Sequence, residues 1–167
     1  MLTMNAENLG ALCRLFTYPE TWPAPDIRHL AIPVRGAPWE TMDDSALTAL
    51  QNSYVRLFIN ALPQIPCPPY GSFYLEGTLM GASTLRLRRL YGEYGFETEE
   101  MPDHIAVELE FMAALWSLPE HDLVKTDQDF LRDHLKQWAP EFFSQIEKSD
   151  TMGFYKEVAR YAQKIIF

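Results

Sequence analysis

The sequence predicts an all-α fold, an irregular single-domain helical globule with long Pro-rich loops over residues 1–167. Three observations predict it. Apolar residues recur at helical spacing through most of the chain. No stretch alternates apolar and polar residues as a half-buried strand does, and no repeat recurs at solenoid spacing. Prolines cluster between the periodic stretches, which leaves linkers longer than a simple up-down bundle uses.

The elements follow in order. Leu9, Leu12, Cys13 and Phe16 make the first apolar face, with Asn5 as N-cap and Tyr18-Pro19 as the stop. A long loop is expected over 19–42, carrying Pro23, Pro25, Pro33 and Pro38. Asp43, Asp44 and Ser45 open a second helix with the stripe Leu47, Leu50, Tyr54, Leu57, Phe58 and Ala61, and Pro63 stops it. Residues 67–77, CPPYGSFYLEG, read as a loop, because Pro63, Pro66, Pro68 and Pro69 precede or begin it. A third helix is expected over 79–94, with Leu87, Leu90, Tyr91 and Tyr94 inward and Gly95 just past its end. The acidic linker FETEEMPD leads to a fourth over 103–118, closed by Pro119. Thr126 or Asp127 caps a fifth through Leu131, His134, Leu135 and Trp138. Pro140 suits the first turn of a separate short helix with Phe142, Phe143 and Ile146. Gly153 precedes the last helix.

Composition excludes several function classes. A net charge of −9 repels phosphate backbones and anionic membrane surfaces, so nucleic acid is not an expected partner. The same charge suits a basic partner. No apolar run reaches the roughly 20 residues that span a bilayer, and the N-terminus lacks the basic and apolar regions of a secretory leader. Cys13 and Cys67, without CxxC spacing, fit a reducing compartment better than a disulfide scaffold. A cytoplasmic protein is expected.

The segment MPDHIAVELEFMAALW, 101–116, is the chemical focus. Asp103 stands where a carboxylate accepts from a first-turn N–H. His104 and Glu108, four apart, share a face. Such a set serves a metal, an acid–base pair, a cation held by charge-assisted hydrogen bonds, or only a helix cap with a satisfied histidine. No HExxH, nucleophile elbow or phosphate loop accompanies it. Glu97, Glu99 and Glu100 make either a solvated loop or an acidic rim for arginines. Arg86, Arg88 and Arg89 read as a solvated ion-pair face, and His134 and Trp138 as core.

Two stretches in this order, PCPPYGSFYLEG and then MPDHIAVELEFMA, resemble the TorD/DmsD/NarJ family of redox-enzyme maturation chaperones. The family's elements fall on Pro69, Tyr70, Ser72 and Tyr74, then Pro102, Asp103, His104, Glu108, Phe111 and Met112. FLRDHLKQWAPEFF is similar to a later family helix. The likeness covers residues 47–146, and Gly71 stands where several relatives carry Glu.

The resemblance implies a cytoplasmic chaperone without catalysis or cofactor of its own. Its partner is the catalytic subunit of a molybdopterin oxidoreductase, bound by its N-terminal signal or in apo form. It assists cofactor insertion and delays twin-arginine export. The residues implied in peptide binding are Tyr70, Ser72, Phe73, Tyr74, Asp103, His104 and Glu108. Stiff Pro68-Pro69 lowers the entropy lost on binding, the rings line a groove, and Asp103 and Glu108, with Glu99 or Glu100, meet the arginines. A monomer or a domain-swapped dimer is compatible with the long loops. Two other readings stay open: a small metal-dependent hydrolase using His104 and Glu108, and a permanent structural subunit of a redox complex.

Overall fold

A computed structural model describes residues 2–33 and 42–167, so the expectation for Pro38 lies outside the described residues. Eight helices form the fold, with no strand among these residues. Helix α1 (Ala6–Leu15) begins at Asn5, whose side chain accepts from the Asn8 N–H at 2.8 Å. It lies along α6 (Ile105–Trp116) and buries Leu9, Leu12 and Leu15. Helix α3 (Asp44–Tyr54) begins at the expected cap, Asp43, and runs on through a π-helical turn, Val55–Ile59.

The expected 19–42 loop contains a helix, α2 (Ala24–His29). Pro25 stands in its first turn, where a missing N–H costs nothing. Arg14 and the buried Asp26 pair at 2.7 Å and tie α2 to α1. The loop expected over 67–77 likewise holds α4 (Gly71–Glu76), which starts only after the last proline and ends on Gly77 at φ +71°. The third expected helix is correspondingly shorter: α5 (Ala82–Glu93), with Gly95 beyond it at φ +65°.

Pro140 does not begin a new helix. It lies inside α7 (Asp122–Ser149), 28 residues long. An interior proline costs about 3 kcal/mol. The helix continues because one face buries Leu131, Leu135, Trp138, Phe142, Phe143 and Ile146, each large side chain contributing roughly 1.5–3 kcal/mol. Helix α8 (Phe154–Ile166) closes the fold against α7. An aromatic cluster joins the pieces: Phe16 and Phe58 meet Phe142 at 5.9 and 6.0 Å, and Phe58 meets Tyr155 edge-on at 5.1 Å.

The starts of α4 and α6 are clamped together. Gly71 N–H donates to the Asp103 carbonyl and Ile105 N–H to the Pro69 carbonyl, both at 2.9 Å. The Asp103 carboxylate then accepts from Ser72 N–H at 2.8 Å. So Asp103 does not cap its own helix, as the sequence suggests; it satisfies a first-turn donor of α4. His104 caps α6 instead, its Nδ1 accepting from Ala106 N–H at 3.1 Å. Across the core, His134 on α7 reaches Glu108 on α6, Nε2 to Oε1, at 3.2 Å.

Two outcomes test this framework. Asp103→Ala leaves the buried Ser72 N–H unpaired and is expected to cost about 1–3 kcal/mol in urea unfolding, with Asp103→Asn, which keeps an acceptor, costing less. An unchanged midpoint in Asp103→Ala speaks against the clamp. The second outcome concerns pH. Burial raises the Glu108 carboxyl, with His134 offsetting part of the effect. Burial opposes protonation of His134, but the charge and hydrogen bond of Glu108 outweigh it and leave His134 raised. Both shifts mean that the fold holds more protons than the unfolded chain, so stability falls as pH rises. The His134 contribution is complete below its ordinary value of 6.5 and is lost as pH climbs through its raised folded value. His134→Gln should therefore be least stable relative to the parent at pH 6, the gap narrowing by pH 8. Melting temperatures across that range check it, and a constant gap shows that the pair does not titrate there.

Candidate functional site

The proline-bounded segment and α4 build one wall of an open cleft of about 600 Å³. Ile65, Pro66 and Pro68 enter from the segment, Tyr70, Phe73 and Tyr74 from the start of α4, and Leu79 from the following turn. Helix α7 supplies Glu141 and Gln145. The rings divide their labour. Tyr74 stacks on Trp138 at 5.7 Å, and burial pushes its hydroxyl well above the ordinary range. Phe73 stands edge-on to Tyr74 at 5.2 Å and is 42% exposed. Tyr70 is half-buried, edge-on to His104 at 5.2 Å.

Gly71 makes this geometry possible. A Cβ there would stand 3.0 Å from Trp138 Nε1 and 3.1 Å from Cε2, so a larger residue forces the indole aside. Trp138 is the post on which α4 leans, since the backbone of one and the ring of another residue pack directly on it.

Tyr70 is also linked to a second recess through Glu100. Burial raises its hydroxyl, and the Glu100 carboxylate adds to the effect by its charge and a hydrogen bond. Glu100 belongs to a recess of about 480 Å³ formed by Glu97–Pro102 with Arg88, Tyr91, Gly92 and Phe96. Glu97, Glu99 and Glu100 are all exposed there. Tyr91 holds the floor, donating to the Pro102 carbonyl at 2.8 Å. Apolar cleft and acidic recess are thus tied by the Tyr70–Glu100 hydrogen bond.

The sequence places Asp103 and Glu108 at a groove wall. The fold does not. Both are fully buried, at 0% exposure, as is Ser72. A carboxylate committed to Ser72 N–H and another paired with His134 cannot meet a cation arriving from solvent. His104 is buried as well; burial lowers its pKa, against the opposing charges of Glu100 and Asp103, and its Nδ1 is occupied by the helix cap. Of the seven site residues expected from the sequence, Tyr70, Phe73 and Tyr74 line the cleft, while Ser72, Asp103, His104 and Glu108 lie beneath it.

His104 and Glu108 therefore do not converge on a shared metal position, and no group of three metal-ligating side chains occurs among the described residues. No helix among them is long and apolar enough to cross a membrane. Arg86 lies over the Phe130 ring at 4.1 Å rather than in an ion-pair face, and Arg88 lines the acidic recess. Sequence reasoning missed Leu79, from the turn after α4, and Glu141 and Gln145, which reach the cleft from the distant α7. The spacing Trp138–Glu141–Gln145 on one helix was the only clue, and it acquires meaning only once Trp138 is known to support α4.

Comparison with known proteins places the chain in a family. The family described as "Nitrate reductase delta subunit" matches residues 25–144, well over half of the chain. The chain is 35% identical over 116 residues to the probable Tat proofreading chaperone DmsD of Haemophilus influenzae, covering 66% of this chain and 55% of that protein. It is 32% identical over 111 residues to the chaperone protein TorD of Vibrio cholerae, covering 59% and 50%. It thus spans about half the length of these curated relatives. A solved structure from Archaeoglobus fulgidus, described as a candidate redox enzyme maturation protein, superposes with a TM-score of 0.69 at 29% identity, covering 95% of this chain and 93% of that one. Motifs, fold and relatives coincide: the chain belongs to the TorD/DmsD/NarJ family of redox-enzyme maturation chaperones.

Proposed function

We propose that this protein is a cytoplasmic chaperone that binds the N-terminal signal, or the apo form, of a molybdopterin oxidoreductase. It assists cofactor insertion and delays export by the twin-arginine route. One observation carries the reading: Tyr70, in the lining of an apolar, aromatic cleft, hydrogen-bonds Glu100, one of three exposed carboxylates that line a separate recess. A twin-arginine signal has the matching order, adjacent guanidinium groups followed by an apolar run. Guanidinium groups pair with carboxylates in a planar fork and stack on aromatic faces. The apolar run contributes by leaving water. The printed names of the relatives, a Tat proofreading chaperone and a TorD chaperone, support the same reading.

In this reading the contacts are divided differently from the first expectation. Glu97, Glu99 and Glu100 meet the cations; Tyr70, Phe73 and Tyr74 receive the apolar segment. Ser72, Asp103, His104 and Glu108 act as positioning residues. The acidic rim also steers a basic segment towards a chain of net charge −9.

Calorimetric titration with a synthetic peptide, two adjacent arginines before an apolar run, tests the proposal. Glu99→Gln with Glu100→Gln is expected to weaken binding roughly three- to tenfold, which is about 0.7–1.4 kcal/mol. Phe73→Ala, at an exposed position, should weaken it by a similar factor without changing the melting temperature. Replacing both peptide arginines by glutamine should match the effect of the double variant. Equal affinity of the parent and the double variant for the arginine peptide removes the acidic recess from the site.

A further inference from the structure

The apolar cleft carries one acid of its own. Among the described residues that line it, Glu141 on α7 is the only carboxylate, and no lysine, arginine or histidine stands with it. The Gln145 amide, one turn further along α7, donates to Glu141 Oε1 at 2.7 Å, so a neutral group orients the carboxylate and leaves its charge uncompensated. Other acids of this helix are paired with cations. Asp129 meets Arg132 at 3.2 Å, Asp133 meets Lys136 at 3.7 Å and Glu147 meets Arg160 at 3.3 Å. No ion pair among the described residues includes Glu141.

The charge is felt at the aromatic wall. Burial is the main reason that the Tyr74 hydroxyl is raised, and Glu141 is among the charges that add to it. Tyr74 stands one turn along α4 from Tyr70, whose hydroxyl is bonded to Glu100. Each of the two cleft tyrosines thus has an acid near it, Glu100 from the recess and Glu141 from α7.

An apolar segment that fills the cleft takes water away from Glu141. A carboxylate that loses water without gaining a partner is destabilised, and an opposite charge is attracted more strongly once water is excluded. An acidic segment meets repulsion as well. A metal ion needs several ligands, and one carboxylate does not supply them. We infer that Glu141 is a specificity-determining residue of the cleft. It selects client segments that carry a lysine or arginine among their apolar residues, in addition to the leading arginine pair, and it disfavours segments that are neutral or acidic there. The inference rests on the proposed reading of the cleft as the seat of the apolar run, and it gives that reading a physical basis for choosing one client over another.

Calorimetric titration of the full chain with a set of synthetic peptides tests the inference. Each peptide has two adjacent arginines before an apolar run, and both ends are blocked so that they bear no charge. Within the run, lysine or glutamine replaces one apolar residue, position by position. At the best position the parent protein should bind the lysine peptide roughly two- to fivefold more tightly than its glutamine counterpart. Added salt should shrink the preference. Glu141→Gln, which keeps an acceptor for Gln145 at an exposed position, should erase it, and Glu141→Lys should favour a peptide with glutamate there. Equal affinity of the parent for lysine and glutamine peptides at every position overturns the inference, as does a preference that survives in Glu141→Gln. In either case the proposed function stands if replacing the arginine pair still weakens binding. If the parent binds none of the peptides, both fall. The parent alone decides the first comparison, so a variant that fails to fold leaves the test intact.

Discussion

The arrangement of this molecule depends on one buried carboxylate. Asp103 has no solvent exposure and spends its charge on the Ser72 N–H, beside two backbone hydrogen bonds that pair 69–71 with 103–105. A carboxylate removed from water is costly unless its oxygens are satisfied. That cost makes the junction specific: slipping the segment by one residue would leave Asp103 facing an apolar core. Once α4 is seated, Tyr70 must lie against His104 and Tyr74 against Trp138. The order of the rings along the cleft follows from the register of that single clamp.

Much of the helical content was legible because amphipathic periodicity reports which face of a helix is buried. The caps at Asn5 and Asp43 and the left-handed turn at Gly95 follow local rules and hold in the fold. Two cap assignments failed, Asp103 for α6 and Thr126 or Asp127 for α7, which begins at Asp122, and so did the judgements about proline. Pro25 and Pro140 have the same local chemistry, yet one begins a six-residue helix and the other interrupts none. The difference lies in what surrounds them: Trp138, Ala139, Phe142 and Phe143 are all fully buried about Pro140, and this burial outweighs one missing backbone bond. Such tertiary compensation leaves no mark within a short window of sequence.

The site was legible by half. Aromatic residues in a proline-bounded segment point to a cleft, and they line one. The carboxylates misled, because charge predicts exposure on average and Asp103 and Glu108 are exceptions with dedicated partners. Those partners, Ser72 and His134, are 31 and 26 residues away in sequence, so periodicity cannot reveal them. Glu97, Glu99 and Glu100, which look like an ordinary solvated run, are the exposed acids of the recess, with Glu100 partly held by Tyr70 and the Met101 N–H. Burial therefore sorts these five acids into two sets, one that holds the fold and one that faces solvent.

This sorting has a kinetic and energetic consequence for the proposed reading. Exposed carboxylates act over about a Debye length, near 8 Å at physiological salt, and mainly raise the rate of encounter. The cleft acts only on contact, and the apolar area it covers sets how long a ligand stays. A short α4 of six residues is too small to be stable alone. Its position is imposed from below by Gly71 on Trp138, by Asp103 on Ser72 and by Tyr74 on Trp138, so the wall is ordered before any ligand arrives. Ordering it in advance removes that entropy from the binding step. The buried acids thus influence affinity through the shape they maintain, while the exposed acids influence it through their field, and substitutions in the two sets should separate as changes in stability and changes in association.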